Sequence, residues 1–113
     1  MVNSSAPPIA LDARNWSIVQ SILQSQLPHT AVWAFGSRAR GTPKPYSDLD
    51  LALITDQALP LSKLAQLNDA FDTSDMTIKV DLVDWASTGE SFRSIIALDK
   101  VLIQAAASPG PNP

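Results

Sequence analysis

Two short groups of residues, Gly36-Ser37 and Asp48-Leu49-Asp50, are separated by ten residues and could together handle a charged phosphate compound. Because side chains alternate along a strand, Asp48 and Asp50 are expected to point to the same side. Two neighbouring carboxylates repel each other unless a cation lies between them, and a divalent ion with oxygen ligands fits that need. A glycine lets the backbone approach a bulky anion, and the backbone N–H and serine hydroxyl groups can donate to its oxygens. The spacing therefore predicts a phosphate-binding turn, Gly36 and Ser37, facing a metal-binding pair of carboxylates.

A third carboxylate, Asp81, lies within the apolar run Val80-Asp81-Leu82-Val83. A lone Asp inside a half-buried strand is costly unless it is paired or bound to a metal ion. Asp84 is the alternative, but at the end of the same strand it should face the other way and serve as a cap or turn residue. We therefore expect Asp81 to join the carboxylate pair.

The ten residues between the two groups carry three cations, Arg38, Arg40 and Lys44. Such a segment could be an ordinary solvated loop, or it could clamp a polyphosphate. Beside the predicted metal site the second interpretation is favoured, and a guanidinium can brace a phosphate through two hydrogen bonds. Arg38 and Arg40 are therefore predicted nucleotide-binding residues, and the sequence leaves open which of them contacts phosphate.

Hydrophobic periodicity predicts the elements that must position these residues. Two predicted helices span about 12–27 and 61–71, and a third ends at about 98. The predicted strands span about 31–35, 49–54, 77–83 and 101–103. Ser87 and Glu90 have the spacing of a capping box at the start of the last helix. A right-handed crossover would make the second and third strands parallel neighbours, which brings Asp81 beside Asp48 and Asp50. The first strand should pair antiparallel with the second. We expect an α+β fold, a small mixed β-sheet with helices packed on one face.

Aromatic and apolar residues outside these motifs have two possible roles. Trp16, Trp33 and Trp85 could stack on a base, but tryptophans at such spacings more often anchor a core. The apolar residues Phe92, Ile95 and Ile96 could form a partner-binding face, but core packing is the stronger interpretation. The sequence thus predicts structural roles for all six.

Length and composition limit the kinds of protein this chain can be. Its 113 residues make one domain, expected at 11–106, with disordered tails at 1–10 and 107–113. No apolar run approaches the ~20 residues that span a bilayer, no signal peptide is apparent, and the absence of cysteine excludes disulfides and thiolate zinc sites. The net charge of −3 argues against direct nucleic-acid binding. A cytoplasmic protein without membrane contact is expected by default.

The motif G-S-x₁₀-D-x-D, complete as Gly36, Ser37, Asp48 and Asp50, resembles that of the nucleotidyltransferase superfamily that includes DNA polymerase beta and kanamycin nucleotidyltransferase. The chain looks most similar to the minimal nucleotidyltransferases, small bacterial and archaeal proteins often paired with a HEPN-domain partner. The resemblance covers roughly residues 15–104. It implies a polymerase beta-like nucleotidyltransferase core and two Mg²⁺ ions, with Mn²⁺ as a substitute, held by Asp48, Asp50 and Asp81. It also implies that Asp81 draws a proton from the acceptor hydroxyl.

The resemblance implies a magnesium-dependent enzyme that transfers AMP from its substrate ATP to a hydroxyl, typically of a tyrosine, on a HEPN ribonuclease toxin. The protein would then be a type VII-like antitoxin in a hetero-oligomer with its HEPN partner. The size of the chain agrees, because one small domain leaves little room for its own acceptor pocket. Two alternatives stay open, a binding-only antitoxin that covers its partner and a nucleotidyltransferase that acts on a small molecule.

Overall fold

The computed structural model describes residues 7–107 of the chain. These residues form, in order, α1 (Ala13–Gln26), β1 (Ala31–Phe35), α2 (Ser37–Arg40), β2 (Leu49–Ile54), α3 (Leu61–Asp72), β3 (Val80–Asp84), a 3₁₀ turn (Trp85–Ser87), α4 (Glu90–Asp99) and β4 (Val101–Gln104). The four strands lie in the order β3-β2-β1-β4. β2 and β3 are parallel, whereas β1 is antiparallel to both β2 and β4. The predicted mixed sheet and its central pairings are confirmed.

The first helix is fixed at its start and is tied to the third strand. The side chain of Asp12 accepts a hydrogen bond from the Asn15 backbone N–H, at 2.7 Å, which caps α1. The buried Asn15 amide in turn donates to Thr77 Oγ1 (2.8 Å) and accepts from the Thr77 backbone N–H (3.1 Å). Because the hydroxyl and backbone N–H of Thr77 are hydrogen-bonded to Asn15 of α1, β3 begins at Val80 rather than at the predicted residue 77.

The sheet separates two groups of buried residues. On one face α1 and α3 pack against the central strands, through Val19, Leu23, Leu67, Phe71, Val32, Leu51 and Leu53. On the opposite face Ile96 of α4 packs against Phe35 and Ala52. The expected packing of helices on one face therefore applies to α1 and α3, while α4 lies on the other face because Phe35 and Ala52 give it an apolar contact there.

Two local predictions require correction. The segment after Gly36 was expected to be a loop, but it starts with the short helix α2, which ends at the left-handed Gly41. The capping box does not form, since α4 begins after Gly89 without a side-chain cap. The Ser87 hydroxyl instead donates to the carboxylate of Asp84 at 3.1 Å, which draws Ser87 into the 3₁₀ turn.

The aromatic residues divide between core and surface. Trp33 and Trp85 pack edge to face, with ring centroids 5.0 Å apart, against the group formed by Phe35, Ala52 and Ile96. Ile96 is fully buried, as predicted, but Ile95 is 55% exposed, so the prediction of core packing is wrong for Ile95. Phe92 is partly exposed and contacts the ring of Phe35 edge to face.

The folded part of the chain begins before the expected boundary at residue 11. Ile9 is buried in the core, and the Ala10 backbone N–H donates to the Arg38 carbonyl at 2.9 Å. At the other end, the Ala107 backbone N–H donates to the Pro28 carbonyl at 3.0 Å. The rest of the expected tails, 1–6 and 108–113, lies outside the described residues.

Within residues 7–107, no helix combines the length and the apolar character that a membrane crossing requires.

Candidate active site

The predicted phosphate-binding turn lies directly against the predicted metal-binding pair. β1 ends at Phe35, which is paired with Asp50 of β2, and Gly36 follows. A Cβ atom added to Gly36 would lie 2.5 Å from Asp50 Oδ2, and Gly36 has a φ of +79°. Glycine is therefore required here both for its conformation and for the space it leaves. The sequence spacing places a backbone turn and a carboxylate in contact.

The three predicted carboxylates come together at one end of the parallel strand pair. Asp50 and Asp81 are direct register partners in β2 and β3, and Asp48 immediately precedes β2. Burial and the nearby negative charges of Asp81 and Asp48 raise the pKa of Asp50 above its ordinary value. The carboxylates are thus close enough to repel one another, which a bound cation would relieve.

The donor set at this edge suits a hard divalent ion. Three carboxylates offer only oxygen ligands, the type that magnesium and manganese prefer. No group of three acidic, histidine or cysteine side chains among residues 7–107 is already arranged around a single metal position. Asp81 Oδ1 instead lies 3.5 Å from the ammonium of Lys79. The residues fit magnesium by their chemistry, and a metal ion would have to draw them into a common coordination shell.

Arg38 is buried and bound to the backbone. Only 8% of the residue is exposed, and its guanidinium donates to three backbone carbonyls. The acceptors are Ser47 (2.9 Å), Ala10 (2.9 Å) and Pro45 (3.4 Å). Arg38 therefore holds the loop before β2 and the N-terminal segment against α2, and its contact with phosphate stays a prediction.

Arg40 remains the more accessible cation of the pair. Its side chain is half exposed and its Nη1 lies 2.7 Å from Asp99 Oδ2 at the end of α4. This ion pair connects α2 to α4 across the edge of the site. Ser37, the first residue of α2, follows Gly36 directly and keeps the position predicted for a phosphate contact.

Asp84 has its own set of partners, away from the other carboxylates. It accepts hydrogen bonds from the Thr55 hydroxyl, the Leu59 backbone N–H (2.9 Å) and the Ser87 hydroxyl (3.1 Å). Burial alone would raise the pKa of Asp84, but these bonds, with one from the Ala86 backbone, lower it below its ordinary value. Asp84 therefore closes the turn after β3, in the cap or turn role that the sequence predicted for it.

Sequence reasoning missed Lys79 and Asp99. Lys79 precedes Asp81 by two residues, so strand alternation alone could have placed its side chain on the same side of the sheet. Asp99 is paired with Arg40, 59 residues away in the sequence, and no local sequence pattern predicts such a contact.

Comparisons with known proteins agree with this geometry. Residues 18–107 match the family described as "Polymerase beta, Nucleotidyltransferase". The chain is 45% identical, over 101 residues and 89% of each chain, to a protein of Haemophilus influenzae named "Probable protein adenylyltransferase MntA".

Two solved structures are similar in fold. One belongs to a crystal structure of a toxin-antitoxin with AMP-PNP, with a TM-score of 0.69 and 22% identity over 80% of this chain and 73% of that one. The other belongs to a tri-AMPylated Shewanella oneidensis HEPN toxin in complex with MNT antitoxin, with a TM-score of 0.56 and 20% identity over 81% and 71% of the chains. With the family match across residues 18–107, the turn at Gly36 and the carboxylates beside it place this chain in the polymerase beta nucleotidyltransferase family.

Proposed function

We propose that this protein is a magnesium-dependent nucleotidyltransferase that transfers AMP from ATP to a hydroxyl, that of a tyrosine, on a HEPN-domain toxin. By this modification it acts as an antitoxin. The observation that carries the proposal is the contact of the Gly36 turn with Asp50, whose register partner is Asp81. This joins a phosphate-binding element to three carboxylates in a chain 45% identical to a protein named as an adenylyltransferase.

The names of the similar proteins support the choice of nucleotide and acceptor. One similar chain comes from a toxin-antitoxin crystallised with AMP-PNP, an analogue of ATP. Another comes from a complex whose HEPN toxin carries AMP groups. The first supports an adenine nucleotide as substrate, and the second supports transfer onto a protein rather than onto a small molecule.

Each residue has a defined task in the proposed reaction. Gly36 and Ser37 offer backbone N–H and hydroxyl donors to the outer phosphates, and Asp48, Asp50 and Asp81 would hold the magnesium ions. Magnesium, when bound, neutralises the charge that develops on the phosphate oxygens. The acceptor oxygen forms a bond to the α-phosphorus, the bond to the β-phosphate breaks, and pyrophosphate leaves. Asp81 takes the proton released by the acceptor hydroxyl.

Intact-mass spectrometry of a HEPN-domain protein encoded beside this chain tests the proposal. After incubation with this protein, ATP and magnesium, the HEPN protein should gain about 329 Da for each AMP transferred, the mass expected from nucleotidyl transfer. The variant Asp81→Asn should reduce the transfer by orders of magnitude, because it removes both a metal ligand and the proton acceptor. It should still associate with the partner.

A matched control removes a carboxylate elsewhere on the chain. Asp56→Asn changes an exposed aspartate beyond the far end of β2 and should leave transfer unaffected. If Asp81→Asn neutralises the toxin as well as the parent does, with no mass gain in either case, protection comes from binding and the enzymatic proposal fails.

A further inference from the structure

One cation contacts a carboxylate of the site. Lys79 is the residue before β3, and its backbone carbonyl accepts a hydrogen bond from the Leu49 N–H at 2.9 Å. Since Leu49 pairs with Val80, Lys79 lies beside Asp48 at the start of the parallel pair. Its ammonium is 3.5 Å from Asp81 Oδ1. The ammonium of Lys79 therefore contacts the carboxylate predicted to accept the proton, and its backbone lies beside that of Asp48.

Four other cations of the described residues, Arg38, Arg40, Arg93 and Lys100, are engaged elsewhere. The guanidinium of Arg38 binds backbone carbonyls, and that of Arg40 is paired with Asp99. On the face covered by α4, Arg93 lies over the Trp85 ring and Lys100 over the Trp33 ring. Of the ion pairs within residues 7–107, the pair of Lys79 with Asp81 is the one that includes a predicted metal ligand.

We propose that Lys79 is a positioning residue that serves as the counter-ion of Asp81 until a divalent cation replaces it. The inference rests on the proposed function, because it concerns the same three carboxylates. Before metal binds, the ammonium offsets part of the negative charge at this edge and holds Asp81 through the ion pair. When the metal ion binds, it competes with Lys79 for Asp81. Lys79 thus lowers the affinity for metal in the absence of nucleotide.

The exposure of the pair makes this exchange feasible. The side chains of Lys79 and Asp81 are 68% and 43% exposed, and an exposed ion pair at this distance is weak. A divalent ion carries twice the charge and approaches carboxylate oxygens more closely than an ammonium does. Lys79 therefore weakens metal binding without preventing it. Removing one positive charge from this edge should lower the dissociation constant for a divalent ion roughly three- to tenfold, on the scale of Coulomb interactions near a protein surface.

Titration with Mn²⁺ in the absence of ATP, followed by the electron paramagnetic resonance signal of the free ion, measures this directly. Lys79→Met keeps the aliphatic stem and removes the charge, and it should bind Mn²⁺ three- to tenfold more tightly than the parent protein, by the same estimate. Lys79→Arg keeps the charge and should bind as the parent does. The gain in Lys79→Met should shrink as the salt concentration rises.

The matched control is Lys63→Met. Lys63 lies on α3, on the opposite face of the sheet, where its ammonium donates to Gln26 Oε1 at 3.2 Å. The Lys63→Met substitution removes the same charge from the molecule without altering the site, so the affinity of this variant for Mn²⁺ should equal that of the parent.

A second measurement uses thermal unfolding in the presence of EDTA. Without metal, Lys79→Met should unfold at a lower temperature than the parent, because the carboxylates lose their counter-ion. Saturating Mn²⁺ should raise the unfolding temperature of Lys79→Met by more than it raises that of the parent.

The outcomes separate the two proposals. If the parent protein gains no thermal stability from Mn²⁺ and ATP together, the proposed function fails. If the parent binds Mn²⁺ but Lys79→Met binds with equal or lower affinity, the role of Lys79 is wrong and the metal site stands. If Lys63→Met tightens binding as much as Lys79→Met does, the effect comes from net charge, and the positioning role is again wrong.

Discussion

At the scale of single residues, Asp50 is the most constrained member of the site. It touches the glycine turn on one side and has Asp81 as its register neighbour on the other. Its carboxylate is half-buried, and the pKa is raised by that burial and by two negative neighbours. A charged carboxylate that is partly buried beside two other carboxylates lowers the stability of the ligand-free protein at neutral pH. Such unfavourable groups are typical of binding and catalytic sites.

The pH dependence of stability tests this view of Asp50. Because its pKa is higher in the folded than in the unfolded protein, folding takes up a proton between the ordinary value of 3.8 and the raised value, and stability falls as the pH rises through that window. Asp50→Asn should therefore be more stable than the parent at pH 7 in EDTA, and the difference should vanish below pH 3.8. Thermal unfolding monitored by circular dichroism between about pH 3 and pH 8 measures it.

Asp84→Asn is the comparison with the opposite sign. The pKa of Asp84 is lowered in the folded protein, so its contribution to stability is present above its ordinary value of 3.8 and is lost as the pH falls through the folded value. Asp84→Asn should be less stable than the parent at pH 7, by about 1–3 kcal/mol for the hydrogen bonds lost. If Asp50→Asn loses stability in the same way at pH 7, the electrostatic account of the site is incorrect.

At the scale of elements, the sequence predicted best where a pattern and its end signals are local. The bounds of β1 and β2 match the predicted 31–35 and 49–54, because each apolar run is closed by Gly36 or by the polar Thr55-Asp56. The carboxylates followed from strand alternation and the parallel crossover. The sequence did not predict α2, because the segment after Gly36 was expected to be a loop, whereas contacts from the distant Ala10 hold this helix.

Arg38 shows why such contacts escape sequence reasoning. An arginine in a basic loop beside a predicted phosphate site favours a role in binding, and only the folded chain brings the carbonyls of Ala10 and Ser47 to its guanidinium. The same limit applies to α4, whose position on the second face depends on Phe35 and Ala52 rather than on its own periodicity. The grouping of the three carboxylates was thus accessible from local spacing, and its supporting contacts were not.

The roles of the two arginines can be separated by substitution. Arg38→Met should destabilise the protein by about 1.5–3 kcal/mol, because it leaves carbonyls without their charged donor. Arg40→Met removes an exposed ion pair and should cost no more than about 1 kcal/mol. Urea denaturation measures both. Should Arg38→Met keep full stability and instead weaken the binding of ATP, the result would support the predicted phosphate contact of Arg38 and contradict the structural role.

At the scale of the whole molecule, the buried cores and the candidate site occupy different parts of the sheet. One face carries the larger core with α1 and α3, and the other carries the smaller group around Ile96. The strand ends bearing the carboxylates lie at the edge of this arrangement, so substitutions there should leave the larger core intact. Binding at the site should consequently appear as added stability of the whole fold, since a ligand that binds only the native state shifts the unfolding equilibrium.

This linkage predicts how ATP and magnesium together affect unfolding. Neither ATP in EDTA nor magnesium alone should stabilise the parent as much as both do, because the carboxylates and the triphosphate share the metal. At 100 times the dissociation constant, the combined ligand should add about 2.7 kcal/mol to the free energy of unfolding. Asp48→Asn should lose most of this gain, whereas Asp56→Asn, with the same loss of charge at the other end of β2, should keep it. Thermal unfolding with each ligand combination decides the matter. Equal stabilisation of both variants would mean that ATP binds somewhere other than at the Gly36 turn and its neighbouring carboxylates.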